Sequence, residues 1–98
     1  MMRKLAVVAA LAALSTSTMA FDVDAKYKQA CMACHAAGVA GAPKAFDAAA
    51  WESRLALGMD TLVNSVTNGK GAMPPRGLCM DCSADQYTQL INYMSKAQ

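Results

Sequence analysis

The feature that most constrains this chain is Cys31-Met32-Ala33-Cys34-His35. Two cysteines three apart, followed at once by a histidine, form an attachment sequence for a c-type haem. Each thiol adds across one vinyl group to make a thioether. Two intervening residues let both sulfurs reach neighbouring edges of one porphyrin. His35 then lies where its neutral imidazole can bind the iron from one side. His35 is the only histidine, so a second histidine ligand would have to come from another protein. A Cys-x-x-Cys pair alone is also compatible with a redox disulfide or half a zinc site; the adjacent histidine separates these readings.

The chain before this motif reads as an export signal. Arg3 and Lys4 precede an apolar run, Leu5 to Leu14, followed by Ser15 to Met19 and Ala20. This is a charged region, a hydrophobic region and a small-residue cleavage site, with cleavage expected after Ala20. A run of that length makes a helix of about 15 Å, half the hydrocarbon thickness of a bilayer, which argues against an anchor. Residues 1–20 are therefore expected to be a cleaved signal peptide, and residues 21–98 a single domain exported to a bacterial periplasm. No stable membrane insertion is expected after cleavage. That oxidising compartment also allows a disulfide to persist.

The formal charge of +2 resides in Arg3 and Lys4; over residues 21–98 the basic and acidic side chains balance. There is no basic excess to hold nucleic acid, and steering of partners by net charge should be weak. The exported part is near the size limit for an adequate side-chain core. Its apolar residues are largely alanine, so a covalent haem is expected to supply missing apolar bulk.

A short helix is expected over Asp24–Cys31, leading into the haem site, with Asp22 or Asp24 as cap. Gly38 to Pro43 reads as a loop. Pro43 has no N–H, but its carbonyl can accept the second ring nitrogen of a metal-bound histidine; an ordinary loop proline is the other reading. A helix is expected over Asp47–Leu57, with Trp51 and Leu55 on one face and Gly58 as stop. A second is expected over Asp60–Thr67, with Leu62, Val63 and Val66 as its apolar stripe. Trp51 and Arg54 share a face. They can hydrogen-bond a haem propionate, or be a core tryptophan beside a solvated arginine.

Lys70 to Gly77 holds glycines near both ends and two prolines inside, which excludes a helix or a central strand. Met73 sits in its middle, and Pro74 biases it toward an extended backbone. The result is a stiff loop able to present one thioether sulfur, a good sixth ligand for haem iron that raises its potential. Met32 and Met80 lie between cysteines, Met59 beside a helix start and Met94 on a helical stripe. A methionine at helical spacing usually fills a core, so Met73 is the candidate ligand.

Cys79 and Cys82 remain. An even remainder in an oxidising compartment suggests a disulfide, worth at most about 2 kcal/mol for so small a loop. A catalytic dithiol is the sharper alternative, but it usually accompanies a βαβ pattern, and no strand-like alternation appears. Ser83-Ala84-Asp85-Gln86 is a capping box. Tyr87, Leu90, Ile91 and Met94 follow at helical spacing, and this last helix is expected to pack across the Asp24–Cys31 helix.

Together, C-M-A-C-H, G-A-P-K, N-G-K-G-A-M-P-P-R-G and C-M-D-C-S before a final helix resemble a class I cytochrome c, more narrowly the cytochrome c5 group. The resemblance covers essentially all of residues 24–96. It implies an all-α fold wrapped around one covalent haem c, with crossing terminal helices. It further implies thioethers at Cys31 and Cys34, axial ligands His35 and Met73, and a disulfide between Cys79 and Cys82. The function it implies is one-electron shuttling between redox partner proteins by a monomer or weak dimer, not enzymatic catalysis. A haem peroxidase or ligand sensor would need Met73 off the iron. A four-thiolate zinc site would need two pairs 44 residues apart and leaves His35 unexplained.

Overall fold

The computed structural model describes residues 20–98, so the expected signal peptide lies almost wholly outside the described residues. The first helix starts at α1 (Val23–Lys26), passes through a π-helical turn (Tyr27–Cys31) and continues as α2 (Met32–His35). Lys26, Cys31 and Met32 all keep right-handed helical dihedrals, so the axis is unbroken. Asp22 is the cap, its carboxylate accepting from the Ala25 amide at 3.0 Å. The helix therefore begins earlier and ends later than expected, taking in the whole Cys-x-x-Cys-His sequence. The physical reason is the absence of any breaker before Gly38, whose φ of +73° turns the chain away.

A 3₁₀ turn (Val39–Gly41) leads into an extended segment. Then come α3 (Ala48–Leu55) and α4 (Met59–Asn68). Asp47 caps α3 through the Ala50 amide. Trp51 is buried, but Leu55 is 38% exposed, so the expected shared apolar face is only half realised. On α4, Leu62 is buried, with Val63 and Val66 packed partly against the core. The chain then forms a tight turn at Lys70–Met73, a 3₁₀ segment (Pro75–Leu78) and α5 (Ala84–Met94). There is no extended strand among the described residues.

The capping box at the start of α5 forms in full: the Ser83 hydroxyl accepts from the Gln86 amide, and the Gln86 side chain accepts from the Ser83 amide. Tyr87, Leu90, Ile91 and Met94 are all buried. This face packs α5 against α1 and α4. The contact of α5 with the first helix, made at α1 and the π-helical turn, is aromatic and polar together. Tyr93 lies 5.5 Å from Tyr27 between ring centroids, and Phe46 meets both rings edge-on. The Tyr93 hydroxyl donates to the Asp24 carboxylate. The N- and C-terminal helices are thereby joined, as the apolar stripe on α5 required.

The protein core is small. Its largest members are Trp51, Tyr27 and Tyr87, and no side chain among the described residues is fully enclosed. For a domain of this size that is a thin hydrophobic supply, in keeping with a fold that takes part of its apolar interior from a cofactor.

Candidate haem site

The end of the π-helical turn and α2 together place the two thiols and the imidazole within little more than one turn of one continuous helix. Cys31 and Cys34 are free thiols, each partly buried. Burial pushes the Cys31 thiol up to about 11, because a thiolate is poorly solvated there. A redox Cys-x-x-Cys has the opposite signature, a lowered thiol pKa. Nor do the four cysteines converge on one ion: Cys79 and Cys82 are joined to each other by a disulfide, with Cα atoms 5.5 Å apart.

His35 is 7% exposed, and the segment after it holds the residue in three ways. Its Nδ1 lies 2.8 Å from the Pro43 carbonyl oxygen. A carbonyl only accepts, so Nδ1 carries the proton and Nε2 keeps its lone pair for a metal. The His35 carbonyl accepts from the Ala45 amide at 2.7 Å. The Trp51 ring stacks on the imidazole, centroids 5.6 Å apart and planes 28° from parallel. The Trp51 indole N–H is committed to the Lys44 carbonyl at 3.0 Å. Of the two readings the sequence had left for Trp51, a propionate contact or a core tryptophan, its burial agrees with the core one, and its N–H is taken by the loop. Nothing in the residue spacing signalled the stack, because it depends on the loop bringing α3 back over α2.

Arg54 is half-buried and donates from Nη1 to the Ala50 carbonyl at 2.7 Å, one turn back on α3. That bond orients the guanidinium along its own helix and leaves its remaining donors for other acceptors.

The Met73 turn is fixed by backbone bonds in both directions. The Lys70 amide donates to the Met73 carbonyl at 3.0 Å, and the Met73 amide to the Lys70 carbonyl at 2.9 Å. Gly69, at φ +86°, admits the close approach: a β-carbon there would lie 3.0 Å from Met73 O and Pro75 N. Gly77 leaves room for the thioether, since its β-carbon would lie 2.8 Å from Met73 Cε. Of the other methionines, Met94 is core, whereas Met32 and Met80 are 42% and 68% exposed.

Three contacts missed in the sequence brace the disulfide loop. Lys26 Nζ binds Asp81 at 3.1 Å. The buried Tyr87 hydroxyl donates to the Cys79 carbonyl at 2.8 Å. Arg76 Nη1 donates to the Met80 carbonyl at 3.3 Å.

Two free thiols on one helix, a buried histidine whose Nε2 keeps its lone pair and a thioether side chain on a tightly bonded turn make up a donor set of the kind that fits a porphyrin attached by thioethers. Such a helical fold with such a site defines a c-type cytochrome. Residues 20–94 match the family model described as "Cytochrome C oxidase, cbb3-type, subunit III". The chain is 46% identical to a cytochrome c5 of Ectopseudomonas mendocina over 76 residues, covering 76% of this chain and 84% of that protein. It resembles the minimized average structure of a mono-haem ferrocytochrome c from Shewanella putrefaciens with a TM-score of 0.70 and 52% identity, covering 81% of this chain and 98% of that one. It also resembles, with a TM-score of 0.66 and 44% identity, a chain in an electron-transfer complex of nitrite reductase with cytochrome c, covering 74% of this chain and 88% of that one. The chain belongs to the cytochrome c5 family of class I c-type cytochromes. Its cofactor is one covalent haem c, and its chemistry is electron transfer.

Proposed function

We propose that this protein is a periplasmic one-electron shuttle whose single haem is held through Cys31 and Cys34 and ligated by His35 and Met73. The observation that carries the reading is the His35–Pro43 hydrogen bond. It favours the tautomer with the proton on Nδ1, which supports a ligand role for Nε2 on the same helix as the two thiols. When bound, the haem supplies an Fe(III)/Fe(II) couple. The chain's own residues do the rest. The Pro43 carbonyl holds the imidazole and its orientation through Nδ1. The 70–77 loop presents a neutral sulfur and thereby favours the reduced state. With His35 and Met73 both holding the iron, no position would be left for oxygen, peroxide or substrate, which would set a carrier apart from a peroxidase.

In this reading residues 1–20 are the cleaved export signal, and residues 21–98 act as one domain. No helix among the described residues is long and apolar enough to cross a membrane. Leu78 and Met80, exposed beside each other in the chain's disulfide region, are apolar side chains that suit weak, transient docking of redox partner proteins. The cytochrome in the nitrite reductase complex makes a reductase of that kind a reasonable first partner to assay.

The test is an optical redox titration of the purified periplasmic protein beside Met73→Ala, with carbon monoxide added to each reduced form. The parent should show a haem spectrum that survives denaturation, one Nernstian electron and no rapid carbon monoxide binding. The variant should bind carbon monoxide and titrate at a lower potential. Identical spectra and potentials for the two proteins would remove Met73 from the iron.

A further inference from the structure

We propose that Trp51 is a positioning residue for His35, setting the strength of the hydrogen bond at Nδ1 and through it the redox balance of the site. The proposal rests on the reading of His35 as an iron ligand.

The argument starts from three consecutive loop residues. Pro43 O accepts from His35 Nδ1 at 2.8 Å. Lys44 O accepts from Trp51 Nε1 at 3.0 Å. The Ala45 amide donates to the His35 carbonyl at 2.7 Å. Lys44 C=O and Ala45 N–H belong to one planar peptide unit. That plane is therefore gripped at both ends, by the indole at its oxygen and by the His35 backbone at its nitrogen. With the plane fixed, only the two backbone dihedrals of Lys44 separate it from the preceding unit, which carries the Pro43 carbonyl. Trp51 thus determines where the acceptor for Nδ1 sits. The other partner of Lys44 O, the Asp47 amide, is longer at 3.3 Å and cannot replace it fully.

The indole acts a second time through its face. It is 4% exposed, and stacking at 28° limits rotation of the imidazole about its own axis. A ring held in plane and donating its N–H to a carbonyl gives more electron density to a metal on its other nitrogen, and a stronger donor favours the oxidised iron. Loosening either hold should shift the balance toward the reduced state.

The experiment compares haem-loaded parent, Trp51→Phe, Trp51→Leu and Ile91→Val. Phenylalanine keeps an aromatic face but has no N–H; leucine removes both. Ile91→Val loosens the buried face of α5 and serves as a control for general softening. Two quantities are read: hydrogen exchange of the His35 Nδ1 proton in the reduced protein by NMR, and the reduced-to-oxidised ratio at the parent's midpoint. In Trp51→Phe, exchange should quicken by about tenfold, the factor corresponding to a typical net hydrogen-bond contribution. The ratio should move toward reduced by about threefold, which is about 28 mV for one electron. Trp51→Leu should go further in both and should also change the paramagnetic shifts of the His35 ring in the oxidised state.

If Trp51→Phe matches the parent in both readouts, or moves no further than Ile91→Val, the proposal is overturned while the ligand assignment stands. A parent whose His35 ring lacks the shifts of an iron-bound imidazole overturns the ligand assignment itself, and the proposal with it.

Discussion

Replacing Gly77 by alanine tests the Met73 loop with an internal control. The new β-carbon would lie 2.8 Å from Met73 Cε and 3.7 Å from Val66 Cγ1. Carbon atoms rest at about 3.5–4.0 Å, so the Val66 contact is ordinary and the Met73 contact is not. Cε is the tip of a flexible side chain and must retreat by about 1 Å. The backbone pays separately: Gly77 sits at φ +55°, where a β-carbon costs about 1–2 kcal/mol. Gly71 has nearly the same dihedral, φ +57°, with nothing near its prospective β-carbon. Gly71→Ala should therefore carry the strain without the displacement. Thermal unfolding followed by circular dichroism should show both variants lowered by about 4–8 °C per kcal/mol. Only Gly77→Ala should shift the Met73 methyl resonance of the reduced protein and admit carbon monoxide. If it leaves the methyl and the carbon monoxide behaviour as they are in Gly71→Ala, Gly77 does not make room for the proposed iron-bound thioether.

Tyr87→Phe removes the buried hydroxyl that donates to Cys79 O. The Cys82 amide remains on that oxygen at 3.3 Å, so the loss should be about 1 kcal/mol, read as a lower denaturant midpoint at unchanged slope. Asp24 is held below its usual range first by the Tyr93 hydroxyl and then by Lys28. A lowered folded-state pKa contributes stability that is complete above about pH 4 and is lost as pH falls through the folded value. Tyr93→Phe should flatten that acid limb, Asp81 retaining a share through its bond to Lys26; urea unfolding across pH 2–7 that finds the parent's limb intact would contradict this. Leu78 is 57% exposed at φ +64°. Asparagine tolerates that region better, so Leu78→Asn should raise stability by about 0.5–1 kcal/mol, measured by guanidinium denaturation.

Local chemistry was readable from the chain. Cap residues act on amides within three positions, so Asp47, Ser83 and Gln86 could be assigned without knowing any neighbour. The α5 stripe could be read because four large apolar residues at helical spacing leave one face to bury. The cofactor class was written in five adjacent residues. Element ends were read less well: α2 runs through His35 because helix propagation continues until a residue stops it, and Gly38 is the first to do so. Leu55 was placed on a buried face by spacing alone, but burial needs a neighbour, and packing covers Trp51 while leaving Leu55 38% exposed.

The sequence by itself determined an all-α chain, a haem-attachment motif and a stiff methionine loop, because each arises from residues in covalent reach of one another. Tertiary structure alone decided that Pro43, Lys44 and Ala45 close around His35, and that Trp51 turns its N–H to the loop and its face to the imidazole. It also decided that Lys26 reaches Asp81 and Tyr93 reaches Asp24. Those contacts join positions up to 69 apart, and their geometry exists only after α1, α3 and α5 have packed, since hydrophobic burial chooses which surfaces meet and carries no record in the spacing of the polar groups it brings together.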